Sequence, residues 1–367
     1  MMKSKILLTT LIFTIFALFL SSCAGGNISP SGFGGVTYED QSVFLAQNQN
    51  IYAVNLANGN EIWRFPLEGE RADVNRTFYS PPVLTEDGQL LVSSYNNTLY
   101  SLDPATGTVN WQFNGNIPGA SSGRFIASPL VTEEGIYASN ANGFLYALDL
   151  EGELRWTFES HGEQWSTPAT DEDCACVYLA AMDHYVYAIH TEDGSLLWEK
   201  DLGSAMVGQP AVSNGVLYIG NFASQMVALD TSNGEGIWEQ ELAGWVWAGP
   251  ALYEERLYFG DVNGNFYALQ ASDGEIIWQI QPDGPITSTP AVTEEAVLFT
   301  TESGTVYSVD HEGQNIWMQT VSGPVYSSPV HTGEFVLVSP IQSDTLLNIL
   351  NPNGSIKTAF PPVAAAE

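Results

Sequence analysis

Reactive chemistry has few places to reside in this 367-residue chain, and its three cysteines are the first of them. Cys174 and Cys176 stand one residue apart. A bond across a single residue is strained unless the backbone turns sharply, so a disulfide and two free thiols both stay open. A structural zinc site wants more ligands at set spacings, and His161, His184, His190, His311 and His331 supply none. Asp261-Val262-Asn263-Gly264-Asn265 has a faint calcium-loop pattern, but it falls where every copy of a repeat has a plain strand-to-strand turn. No Ser-His-Asp spacing and no paired acid in a recognisable motif stands out. The expectation is a non-catalytic protein with no cofactor and no metal. Cys23 offers different chemistry, acylation of its thiol. It follows Lys3, Lys5, the apolar stretch Ile6–Leu20 and the small residues Ser21 and Ser22.

A repeat must position whatever site exists. Glycines at Gly59, Gly107, Gly152, Gly194, Gly234, Gly274, Gly313 and Gly354 recur at intervals of 48, 45, 42, 40, 40, 39 and 41. Four residues after the first seven stand Trp63, Trp111, Trp156, Trp198, Trp238, Trp278 and Trp317, while Thr358 takes that place in the eighth. Pro82, Pro129, Pro168, Pro210, Pro250, Pro290 and Pro329 run in phase, with Gly34 in the equivalent place of the first copy. Each copy holds four short β-type runs, such as Pro290–Thr293, Ala296–Thr300, Thr305–Val309 and Gln314–Trp317, and no helical periodicity. The pattern predicts an all-β chain folded as an eight-bladed β-propeller, with four antiparallel strands per blade and the tryptophans wedged between blades. The expected divisions are a signal peptide over 1–22, lipidated Cys23 with a flexible tether over 23–33, the propeller over 34–360 and a tail over 361–367.

The phrase Ala-x-Asp-x-x-x-Gly-x-x-x-Trp, as in Ala228–Trp238, resembles the tryptophan-docking motif of the PQQ-type propellers. That superfamily includes quinoprotein alcohol dehydrogenases and the BamB lipoproteins of the outer-membrane β-barrel assembly machinery. The resemblance covers about 34–360 and is stronger for fold than for function. Quinoprotein dehydrogenases hold their cofactor under two adjacent cysteines, and this chain has no adjacent pair. Leu20-Ser21-Ser22-Cys23 resembles a bacterial lipobox, and no aspartate follows the cysteine, a pattern like that sent to an outer membrane. The resemblance therefore implies a lipid-anchored, BamB-like scaffold in the cell envelope. It also implies a β-barrel assembly subunit or an unfolded outer-membrane protein as partner, and contact with a membrane through the lipid.

Charge bears on the partner as well. The formal net charge is −32, and removing Lys3 and Lys5 leaves eight basic residues against 42 acidic ones. Such a surface repels nucleic acid and anionic headgroups. Two neighbouring loops are long: 19 residues separate Trp63 from Pro82 and 18 separate Trp111 from Pro129, against 12 in the five later copies. They carry Arg71, Arg76 and Arg124, expected at the channel mouth as partner-binding residues, or paired locally with Glu68, Glu70 and Asp73. Tyr79, Trp165, Trp247 and Tyr326 each stand three residues before a marker proline, with Phe125 and Trp245 nearby. Aromatics and arginines dominate binding hot spots, so all are expected at one partner-binding rim; packing beneath loops is the competing reading for the aromatics. The leading reading is a monomeric protein-docking scaffold, set against a receptor for a sugar or other small ligand and against a quinoprotein-type dehydrogenase.

Overall fold

The computed structural model describes residues 34–362, except 68, 70–72, 74, 120, 172 and 173. Cys23 and Arg71 lie outside the described residues. The described residues form 32 strands and no helix, gathered into eight four-stranded antiparallel sheets. Each sheet uses four consecutive strands, as in Ala211–Ser213, Val216–Gly220, Gln225–Asp230 and Gly236–Glu241. The eight blades span 35–65, 83–114, 130–159, 169–201, 211–241, 251–280, 291–320 and 330–360. The eight-bladed, four-strand architecture expected from the repeat is the one observed.

Burial explains why the runs differ within a repeat. Middle strands such as Leu90–Ser94 and Cys176–Ala180 are buried at every position, because neighbouring blades cover both faces. Their sequences accordingly carry no charged residue. The outermost strands, such as Gly236–Glu241, alternate exposed and half-buried positions towards their ends.

Two details of each blade account for the docking motif. The third and fourth strands shift register at one place in all eight blades, as between Ala228 and Leu229. Just before that bulge a small residue faces the tryptophan: Ala53–Trp63, Ser101–Trp111, Ala147–Trp156, Ala188–Trp198, Ala228–Trp238, Ala268–Trp278 and Ser308–Trp317. The eighth blade exchanges sizes, pairing Ile349 with Thr358. Each indole also reaches a neighbour. Trp238 donates from Nε1 to the Ala271 carbonyl at 2.9 Å, and Trp63, Trp156, Trp198 and Trp278 make the same kind of bond to the next blade. Trp111 instead donates to Gln89 Oε1 at 2.8 Å, within its own blade. The conserved spacing to glycine follows from contact: a Cβ on Gly274 would lie 2.6 Å from Trp238 Cε3, and its φ of +76° disfavours any side chain.

Among the described residues no strand is shared between the first and last blades. The ring closes by packing, with Val36, Leu45 and Val54 clustered against Leu337, Ile349 and Phe360. Gln47 Nε2 donates to the Pro340 carbonyl at 2.9 Å, and Tyr52 and Phe360 lie 5.2 Å apart between ring centroids.

Candidate functional site

The loops joining each outermost strand to the next blade occupy the same face as the turns between second and third strands. They are stitched to both flanking blades by backbone hydrogen bonds. Val246 donates its N–H to the Asn221 carbonyl at 3.2 Å, and the Trp245 carbonyl accepts from Val262 N–H at 3.0 Å. Equivalent pairs bind Thr77 and Phe78, Arg124 and Phe125, and Pro285 and Ile286. These loops are therefore extended where they cross the rim, and successive side chains point opposite ways. The middle residue of each triplet turns into the blades: Phe78, Phe125, Gln164, Met206, Val246 and Ile286 are all 0% exposed. The residue after it faces the channel, which places Tyr79, Trp165, Trp247 and Tyr326 at the mouth.

This alternation corrects one expectation. Phe125 is a core residue, packed against Tyr146 at 5.9 Å and Phe113 at 6.4 Å, and it does not reach the rim. It sits one position before the channel-facing place, so the extended backbone carries it inward. Arg76 is half-buried, its guanidinium over Phe65 at 5.1 Å and Tyr100 at 5.8 Å, between the first and second blades. Arg124 lies over Tyr95 at 4.9 Å and forms no ion pair among the described residues. Tyr95 is in turn 5.3 Å from Tyr79, so the two long loops meet across a ring that the second blade supplies. Burial raises the Tyr79 hydroxyl pKa, Tyr95 adds to the rise, and the Arg124 charge opposes it.

The mouth opens into a central cavity of about 1390 Å³, lined in part by the segments that enter each of the eight blades. Trp245 and Trp247 also line it, and both stack on Phe222, at 5.6 and 5.4 Å. Trp165 donates from Nε1 to Glu163 Oε2 at 2.8 Å. Tyr95, Phe222 and Glu302 belong to the rim but were not legible as site residues in isolation. Each lies in its blade's second-to-third strand turn and donates its N–H to the preceding loop, Tyr95 to Thr77, Phe222 to Ala205 and Glu302 to Pro285, which superimposing the repeats would have shown.

The reactive groups resolve simply. Cys174 and Cys176 form a disulfide. The Asp261 carboxylate is buried and accepts from Asn263 N–H, Asn265 N–H and Nδ2, and the Tyr267 hydroxyl, which makes its segment a closed turn. Among the described residues no group of three His, Cys, Asp or Glu side chains could hold a metal ion. The donor set does not fit a metal-supported quinone.

A family model described as outer membrane protein assembly factor BamB matches residues 26–181 and 182–356. The chain belongs to the BamB family. It is 28% identical over 215 residues to a BamB of Yersinia pestis, covering 55% of this chain and 50% of that protein. It spans about half the length of the curated BamB relatives that it matches. The crystal structure of BamB from Moraxella catarrhalis superimposes with a TM-score of 0.69 at 15% identity, over 83% of this chain and 92% of that one. A europium-containing methanol dehydrogenase superimposes with a TM-score of 0.70 at 13% identity, over 83% and 82%. At those identities the likeness is one of fold, shared by BamB and dehydrogenase alike.

Proposed function

We propose that this chain is a lipid-anchored, non-catalytic propeller that docks proteins during outer-membrane β-barrel assembly. The observation that carries the reading is the BamB family match, which runs through almost the whole propeller. The rim is consistent with docking: it presents rings on a scaffold held by backbone bonds between blades, and rigid aromatic surface costs little entropy to order. In this reading Cys23 carries the acyl chains. The Arg124–Tyr95–Tyr79 cluster contacts a carboxylate-bearing partner, since a guanidinium can give a carboxylate two parallel bonds.

The experiment compares full-length wild type with Arg124→Glu and Cys23→Ser, capturing barrel-assembly subunits from solubilised envelope. Arg124→Glu should keep its melting temperature within a few degrees and lose at least about tenfold in capture, or ~1.4 kcal/mol. Cys23→Ser should lose lipid labelling. Undiminished capture by Arg124→Glu moves the docking surface elsewhere. Absence of any assembly subunit from the wild-type capture overturns the assembly role.

A further inference from the structure

The channel has a charge pattern that protein docking at the rim does not use. Its lining includes four carboxylates, half-buried Glu302 at the loop-face mouth and exposed Glu86, Asp87 and Glu133 at first-to-second turns on the opposite face, and among the described residues no lysine, arginine or histidine. On the mouth side the Trp245–Phe222–Trp247 stack stays open to solvent, with Trp245 53% and Trp247 37% exposed. Glu302 belongs to the same mouth. Its N–H donates to the Pro285 carbonyl at 2.9 Å, in the loop following Trp247's own blade, and its charge raises the Tyr326 hydroxyl pKa, second to burial. Burial pushes the Glu302 carboxyl above the usual carboxylate range, with Thr287 opposing the shift. Its charge is therefore incompletely solvated, and a counter-ion would relieve it. Ser80, 8% exposed, lines the same cavity with an Oγ that has no hydrogen-bond partner.

We propose that the channel mouth binds an organic ammonium or guanidinium group, received by the Trp247 and Tyr326 rings and the Glu302 carboxylate. A cation is drawn to the face of an aromatic ring, and more strongly where water is scarce. A cleft lined by a single sign of charge concentrates its counter-ions, here on a protein of net charge −32. A small metal ion suits the site poorly, because among the described residues no three carboxylates converge. A large, weakly hydrated cation needs no convergence of ligands. The group can be a lysine or arginine side chain of a polypeptide or a free amine. The inference goes beyond the assembly reading and does not depend on it.

Fluorescence titration of the full-length protein tests it, because Trp165, Trp245 and Trp247 are the only tryptophans outside the docking positions. The probes are tetramethylammonium, spermidine, a capped Gly-Lys-Gly peptide and the same peptide with acetylated lysine. Saturable quenching by the charged probes, at least tenfold weaker with the acetylated peptide, is the expected result. Trp247→Ala and Glu302→Gln should each weaken binding about tenfold, while Trp247→Phe, which keeps a ring, restores most of it. Tighter binding of the lysine peptide than of the free amines assigns the cation to a polypeptide, and the reverse order assigns it to a small molecule. Equal binding of the acetylated peptide, affinity unchanged by Glu302→Gln, or no saturable response to any charged probe overturns the proposal.

Discussion

The contact between Trp238 and Gly274 lets the blade-docking argument be tested as a pair. Trp238→Ala removes the indole that bonds Ala271 and covers the turn of the sixth blade. Trp238 is half-buried, so the loss should sit at the lower end of the range for deleted large aromatics, about 3 kcal/mol. An unfolding entropy of about 2.1 cal/mol/K per residue over ~330 residues gives ~0.7 kcal/mol/K, so the melting temperature should fall by ~4 °C. Gly274→Ala attacks the same contact from the other side. Its positive φ costs about 1–2 kcal/mol in any L-residue, and the 2.6 Å approach to Trp238 adds an overpacking cost of about 1–3 kcal/mol. In the double variant the methyl enters the space the indole has left, so only the overpacking part is relieved. The combined loss should fall short of the sum by about 1 kcal/mol or more. Thr358→Ala is the control, losing only a 3.4 Å bond to the Asn58 carbonyl, on the order of 1 kcal/mol or less. Urea and thermal unfolding of all four variants give the comparison. Strict additivity of Trp238→Ala and Gly274→Ala, or a Thr358→Ala loss equal to that of Trp238→Ala, would refute the contact as the source of cohesion between blades.

Other outcomes follow from burial and charge. Phe125→Ala should cost about 3–5 kcal/mol with no selective loss of partner capture; capture lost at unchanged melting temperature would return Phe125 to the rim. The Tyr267 hydroxyl pKa is pushed up to about 12 by burial first, and its bond to the Asp261 carboxylate reinforces the shift. Because the folded value lies above the unfolded one near 10, this group's contribution is fully present below about pH 10 and is lost as pH rises towards 12. Urea titrations across that window should show stability falling, and falling less steeply for Tyr267→Phe. A slope identical in the two proteins would be the contrary result.

The glycine–tryptophan period was enough to read the number of blades and strands, because a period near 40 residues repeats the same backbone eight times. The alanine of the docking phrase had no evident role in sequence. The register supplies one: a small residue must face the indole beside the bulge, and the exchange to Ile349 and Thr358 in the last blade keeps the volume filled. Closure was not legible, since among the described residues no strand crosses from last blade to first and the seam is made mostly of ordinary aliphatic contacts. The rim was half legible. Spacing from the marker proline located Tyr79, Trp165, Trp247 and Tyr326, but a single-residue difference in phase sent Phe125 into the core. Tyr95 and Phe222 arrive from a different turn of the repeat, where no tryptophan or arginine drew notice.

The topology also separates what stabilises the ring from what the ring can bind. Antiparallel strands put the first-to-second and third-to-fourth turns on one face, and the docking glycines belong to the latter. The same face carries acid pairs in the first-to-second turns of the third, sixth and seventh blades: Glu133–Glu134, Glu254–Glu255 and Glu294–Glu295. Arg124 and the aromatic stack lie on the other. An approaching anionic surface is thus repelled by the docking face and meets Arg124, which forms no ion pair among the described residues, on the loop face. Charges separated by more than about 8 Å are largely screened at physiological salt, so this asymmetry acts on final orientation more than on distant attraction. Within the mouth the half-buried Glu302 carboxylate stands against low-dielectric walls, where screening is weaker. One excess of acid can therefore steer anions to the Arg124 side of the mouth while drawing cations into its centre. That division lets the two sites be altered independently, because Arg124 lies outside the cavity lining and Glu302 lies within it.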